Sequence, residues 1–258
     1  MSPTGPAPAF ARREQPALLL RRFPFGESSL VLHILTPEAG RVALLAKGAY
    51  RPSSGFFAAF DLFDTLRLRW SSRPGQELGL VTRAQVHARR AALAEDLERY
   101  RAGLGLLELA QATAREGHEE HILFRWLEGW LDLLQAGQVP AGLVTIAAGL
   151  GLLRQNGLAP AFLACASCGA TPGTRTGRVP FSTARGGRLC SACAALEHAR
   201  GQALESLSLN VMRVAASLME ATPAMLAHTR LESDLTQTLR GLVARFLEYH
   251  LDTRLRSR

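Results

Sequence analysis

The residues with the clearest chemistry are four cysteines, all the chain contains, at Cys165, Cys168, Cys190 and Cys193. They form two Cys-x-x-Cys pairs. Two intervening residues let a pair of thiolates converge on one ion from a single tight turn. A second such turn completes a tetrahedral sulfur cage, and both spacings are those of structural zinc sites. Most of the stretch between the pairs, from Ala170 to Arg188, is rich in Gly, Pro and Thr and cannot build a core of its own. An ion at its base is a sensible anchor. Two other readings compete. Two disulfides would suit a secreted chain, but nothing here points to secretion. A redox dithiol needs one Cys-x-x-Cys at a helix start after a strand, and the duplicate pair argues against it. Four cysteines close the coordination shell against water and substrate. The expectation is therefore one structural Zn2+ per chain and no catalytic metal.

The second chemically pointed set is cationic. The net charge is +8, and residues 1–90 hold 13 Lys and Arg against 6 Asp and Glu, while the rest hold 17 against 16. A basic first third on a near-neutral remainder points to a polyanionic partner. The bland alternative is a solvated basic face kept for solubility. Lys47 is the only lysine. The candidate nucleic-acid contacts are Arg21, Arg22, Arg41, Lys47, Arg51, Arg67, Arg69 and Arg73, interleaved with Phe23, Tyr50, Phe56, Phe57 and Trp70. Arginine supplies both charge and a planar stacking surface. Basic grooves with aromatic platforms bind single strands without reading sequence. Phe60 and Phe63 are expected in the core instead.

No arrangement suggests catalysis. His118 and His121 stand three apart, not the four that place two histidines on one helical face of a zincin. Gly103-Leu-Gly105 and Gly149-Leu-Gly151 lack the third glycine of a dinucleotide loop, and Lys47 lacks the glycines of a phosphate loop. Asp61 and Asp64 read as a solvated strand face, and His33 as a packed or solvent-facing strand residue. A non-enzymatic function is expected.

These residues need elements to hold them. Residues 17–86 read as five strands: 17–23, stopped by Pro24 and Gly26; 29–36; 41–48; a long run past Leu62 to Trp70; and 78–86. The Pro37-Glu-Ala-Gly40 turn joins the second and third. Five short strands with hairpin-scale turns suit a small oligonucleotide/oligosaccharide-binding (OB) barrel. After Arg90 the apolar period becomes helical, with helices expected around 93–110, 122–134, 143–155, 204–220 and 233–255. The fold class is α+β: a disordered tail at 1–16, a five-stranded OB-type β-barrel at 17–88, and an α-helical domain at 89–258 with a four-cysteine zinc finger inserted at 163–196. The start lacks the apolar stretch of a signal peptide, and no segment offers the about 20 apolar residues a bilayer needs. A cytoplasmic protein with no membrane partner is expected.

One tract is specific. Leu18-Leu-Leu-Arg-Arg-Phe-Pro-Phe-Gly26-Glu27, then the hairpin glycine Gly40, then Ala46-Lys47-Gly48-Ala49-Tyr50-Arg51, resembles the N-terminal signature of the bacterial recombination mediator family RecO. The two cysteine pairs, with Gly186-Gly187 before the second, resemble those of its zinc-bearing members, and the closing Phe246-Leu-Glu-Tyr-His-Leu run also fits. The resemblance covers the chain from Ala17 onward. It implies an OB domain followed by a helical domain with a zinc finger. It implies binding of single- and double-stranded DNA, annealing of complementary strands, and, with RecR, loading of RecA onto single strands coated by the single-stranded DNA-binding protein SSB, whose acidic C-terminal tail is an implied partner. Lys47 and Arg51 carry over from the matched tract as phosphate contacts; the other arginines are named on charge alone. The rival classes are two: a zinc-ribbon protein, RNA-binding or ribosome-associated, with an OB barrel, and an enzyme with an unrecognised site, which would show turnover or a pH optimum.

Overall fold

A computed structural model describes residues 14–56, 59–72, 78–171, 177–226 and 229–252. The chain divides into two compact units, the first up to Gln135 and the second from Ala136. Arg73, Phe57 and most of the expected N-terminal tail lie outside the described residues.

The first unit starts with a closed barrel. Its strands are β1 (Gln15–Phe25), β2 (Ser29–Thr36), β3 (Gly40–Ala46), β4 (Thr65–Ser71) and β5 (Gly79–Ala88), in the order β1-β2-β3-β5-β4. Every pairing is antiparallel except β3 with β5, and β4 closes the ring on β1. This is the OB arrangement the sequence predicts. Strand alternation decides what faces inward. In β2, Leu30, Leu32 and Ile34 are buried while Val31 and His33 are half-buried. With Leu19, Leu44, Leu66, Leu68 and Trp70 they fill the barrel. Trp70, a candidate for stacking on bases, is therefore core. Phe56 also packs against this cluster, tilted on Phe60.

Strand boundaries differ from the sequence reading in all but β2: β3 ends at Ala46, which leaves Lys47 in the following loop, and β5 runs on to Ala88. β1 runs through Pro24 to Phe25, because β1 pairs with β4 only as far as Leu18. Pro24, opposite Leu30 of β2, therefore needs no donor on its other side, and proline is tolerated on such an edge. β4 starts only at Thr65, because Phe63 adopts a positive φ of 76° and turns the chain.

Three helices, α1 (Ala92–Glu95), α2 (Leu97–Thr113) and α3 (His121–Ala136), complete the run of elements that starts in this unit, and Phe63 is buried, as expected, against α2. Its ring meets Tyr100 of α2 edge-on at 5.4 Å. It also fills the notch at Gly103, where an added Cβ would lie 2.7 Å from Phe63 Cε1. Asp96 caps α2, accepting from the Arg99 N–H at 2.9 Å, which splits the expected first helix into α1 and α2. Arg90 is the buried clasp. It donates to the Phe63 carbonyl at 2.6 Å, the Thr65 hydroxyl at 3.0 Å and Asp132 of α3 at 2.7 Å, and its N–H reaches Asp64 at 2.9 Å. The β2–β3 turn docks on the segment before α3. Gly40, at φ +63°, lies so close that a Cβ would sit 2.1 Å from the Arg115 carbonyl.

In the second unit, α4 (Ala141–Gln155), α6 (Leu209–Met219) and α7 (Ser233–Leu251) carry the apolar core. Gly149 lets α4 approach α7, since a Cβ there would stand 3.0 Å from Leu247 and Val243. Between α4 and α6 in sequence lies a small sheet, β7-β6-β8, made of β6 (Arg178–Ser182), β7 (Gly187–Arg188) and β8 (Glu205–Ser208), with α5 (Ser191–Ala199) starting inside the second cysteine pair, capped by Cys190 and carrying Cys193. The sequence reading extended the α6 helix back to Leu204. Instead Glu205–Ser208 pairs with β6, and Ser208 caps the helix by accepting from the Val211 N–H at 3.3 Å.

Candidate nucleic-acid surface and metal centre

The two cysteine pairs converge. Their four Sγ atoms all lie within 4.8 Å of one another, with Cys168 and Cys190 at 3.9 Å. A tetrahedron with metal–sulfur bonds of about 2.3 Å has edges of about 3.8 Å, so this cluster has the dimensions for one ion. All four cysteines are free of disulfides. The local backbone explains the convergence. Gly169, at φ +73°, turns the first pair so that its N–H reaches the Cys165 carbonyl at 2.8 Å. Gly187, at φ +154°, lies against Ala161, with the Arg188 N–H bonding the Ala161 carbonyl at 2.8 Å. A Cβ at Gly187 would be 2.4 Å from that carbonyl. The Cys190 N–H then points at Cys165 Sγ at 3.4 Å.

The thiols are electrostatically unequal. Burial pushes the Cys165 thiol up, but the N–H groups of Cys190, Cys168 and Ser167, with the Cys168 side chain, outweigh it and hold its pKa at about 6. Hydrogen bonding to Cys190, then to Cys168, with burial, pushes Cys193 up to about 12. The Cys165 thiolate forms readily and Cys193 then resists ionising, which is the situation a bound cation relieves. Beside the cluster, buried Glu197 of α5 takes Arg185 at 2.6 Å and Arg200 at 2.7 Å. The Arg185 hydrogen bond, above all, holds its carboxyl below the ordinary glutamate range.

The described cationic candidates are spread over β1, β3, β4 and the loop after β3. Arg21 sits on the outer face of β1, its guanidinium carbon 5.0 Å from the Phe23 ring centre. Lys47 and Arg51 are exposed in the loop after β3, which is tied to the β1–β2 turn: the Tyr50 N–H bonds the Ser28 carbonyl at 2.9 Å and the Gly48 N–H bonds Ser29 Oγ at 3.1 Å. Arg67 and Arg69 are exposed on β4, opposite Gln85 and Arg83 of β5. Arg22 instead donates to the Phe60 carbonyl and to Asp61, bracing the loop before β4. Arg41 is engaged by Glu116 at 3.0 Å and the Gln111 carbonyl at 3.2 Å. Asp61 is a bridge between Arg22 and Arg89, each at 3.4 Å.

Two family models account for nearly the whole chain: "Recombination protein O N terminal" over residues 11–90 and "Recombination protein O C terminal" over residues 94–258. The chain belongs to the RecO family of DNA repair proteins. It is 34% identical over 254 residues to the DNA repair protein RecO of Anaeromyxobacter dehalogenans strain 2CP-1, covering 96% of this chain and 94% of the relative. It is 31% identical over 249 residues to the RecO of Myxococcus xanthus, covering 95% of each chain. The RecO of Streptomyces griseus shows 32% identity over 250 residues, 93% of this chain and 94% of the relative. The tract that carried the resemblance, Leu18 to Arg51, is most of β1, then β2 and β3 with their two connecting turns and the loop that follows. Among the described residues, no helix is long and apolar enough to cross a membrane. Sequence reasoning missed Phe25, an exposed ring at the end of β1. The Gly26-Glu-Ser28 turn beside it was the available signal.

Proposed function

We propose that this protein is a DNA repair and recombination mediator that binds single- and double-stranded DNA and anneals complementary strands. With RecR it helps load RecA onto SSB-coated single strands, and the SSB C-terminal tail docks on the helical domain, taken as residues 89–258. Residues 17–88 act as the nucleic-acid module, and the protein works in the cytoplasm. The observation that carries this reading is a closed OB barrel with exposed cations, Lys47 and Arg51 among them, in a chain of the RecO family. Of the candidate contacts, Arg21, Arg22, Lys47, Arg51, Arg67 and Arg69 are exposed, and Arg22 and Arg41 serve the fold as well. Arg73 stays in the proposal on charge alone.

Annealing needs no covalent chemistry. Two strands repel through their phosphates, and a basic surface that displaces counterions lowers that repulsion. The four cysteines would hold a single structural Zn2+, which supplies cross-linking of the finger and leaves no open position for catalysis.

The test is annealing of complementary oligonucleotides, with SSB present and no nucleotide, across a salt series. Salt-sensitive, nucleotide-independent annealing is expected. Tight DNA binding without annealing would reduce the protein to a binding module. A strong preference for RNA would favour a ribosome-associated role.

A further inference from the structure

The outer face of β1–β2–β3 carries more apolar surface than a solvated barrel wall requires. Register places Arg21 beside His33, Phe23 beside Val31 and Phe25 beside Ser29. On the next strand, Val31 lies beside Leu45 and His33 beside Ala43. Leu45 is in turn beside Leu80 of β5. These residues share the outward parity, opposite to the buried Leu30, Leu32, Ile34 and Leu44. Phe25 is 55% exposed, Phe23 37% and Leu80 41%. Tyr50, 52% exposed, is held against the β1–β2 turn by its N–H bond to the Ser28 carbonyl. Phe23 meets the His33 ring edge-on at 5.4 Å and is covered on one side by Arg21. Burial, then Arg41 and Arg21, hold His33 below its ordinary pKa, so its ring adds no charge.

The surface is therefore a line of rings and aliphatic side chains with cations around it: Arg21 at one margin, Lys47 and Arg51 at the loop that carries Tyr50. Rings beside arginines also occur at protein interfaces, so the position on the barrel must decide the occupant. A duplex presents phosphates outward and stacks its bases inside, so it engages the cations and leaves the rings idle. Single-stranded nucleic acid matches both features, because unstacked bases cover aromatic faces while phosphates meet the cations. In OB barrels this is also the usual position, since the strand 2–3 face and the turn between strands 1 and 2 bind oligonucleotides.

We propose that Phe25 and Tyr50, at the β1–β2 turn and the loop after β3, are base-stacking platforms that favour single-stranded over duplex DNA. Phe23 and the Val31–Leu45 stripe continue the track between them and Arg21. This rests on the DNA-binding reading above. It goes further by dividing labour: the rings select single strands, and the cations hold either form.

The experiment compares full-length protein with Phe25→Ala, Tyr50→Ala and the double variant. Binding is followed by fluorescence anisotropy on an oligo-dT and on a hairpin duplex of equal phosphate number, at fixed salt. Single-strand affinity should fall by about fivefold to a hundredfold per ring removed. Duplex affinity should stay within about twofold, and Tyr50→Phe should bind as the parent does. Phe25→Trp supplies a direct reading that does not depend on truncation, because a base stacked on the indole quenches its emission. Quenching by oligo-dT and not by duplex is expected. Unchanged single-strand affinity, equal losses on both DNAs, or no quenching in Phe25→Trp would each overturn the stacking assignment while leaving DNA binding in place. Tighter binding of oligo-U than of oligo-dT would overturn the choice of DNA. A parent protein that binds neither DNA would overturn the underlying reading itself.

Discussion

At the scale of single residues, the barrel is joined to its helices by polar groups in an otherwise apolar seam. Arg90 satisfies two buried acceptors, the Phe63 carbonyl and the Thr65 hydroxyl, and reaches the exposed Asp132. Asp64 completes the clasp from the other side, accepting the Arg90 N–H, with Arg89 at 3.5 Å from its second oxygen. Burial raises the Asp64 pKa, and the Arg90 N–H and Arg89 only partly offset it. The folded state thus holds the Asp64 proton more tightly than the unfolded chain does. Its contribution to stability is then fully present below the ordinary aspartate range and is lost as pH rises through the raised pKa. Asp64→Asn keeps an acceptor for the Arg90 N–H and removes the buried charge. The variant should be at least as stable as the parent at pH 7, and the difference should shrink as pH approaches 4. Urea midpoints of both proteins across that range check this. A difference that grows on acidification would reverse the sign.

At the scale of elements, the finger shows how little local propensity decides where an ion anchors the chain. β7 has two residues and β8 four, and neither would stand alone. They are placed by Gly187 against Ala161, by the Glu197 ion pairs and by the cysteine cluster. If one Zn2+ binds there, the purified protein should carry about one equivalent. Chelation should strip it, and the amides of β6–β8 should lose hydrogen-exchange protection while those of β2 and β3 keep theirs. Less than about half an equivalent in protein purified without chelator would remove zinc from the account. The cysteine spacing was legible because a Cys-x-x-Cys turn is a local device. β6, β7 and β8 were not, because their strand state comes from pairing across the insertion: Val179 opposite Leu207, and Phe181 opposite both Arg188 and Glu205.

At the scale of the whole molecule, the excess positive charge of the first third must act through the exposed cations, since others are already engaged. If Lys47 and Arg51 each meet a phosphate, Lys47→Ala with Arg51→Ala should flatten the log–log salt dependence of binding. The slope should drop in magnitude by about 1.8 for duplex and about 1.4 for single strands, with no dependence on sequence. An unchanged slope would place the phosphate contacts elsewhere. The sequence by itself determined the barrel, the helical remainder, the cysteine cluster and the family. Those follow from alternation, helical period, tight-turn spacing and a contiguous tract, all of which are local along the chain. Only the tertiary structure decided which charges are available and which rings are exposed. Arg41 and Lys47 flank the same strand sequence, yet Arg41 is held by Glu116, 75 residues on, and Lys47 faces solvent. Trp70 and Phe25 are both aromatic strand residues, yet one fills the barrel and the other lies outside it. Burial and ion pairing are set by partners distant in sequence, so no reading of the local pattern can assign them.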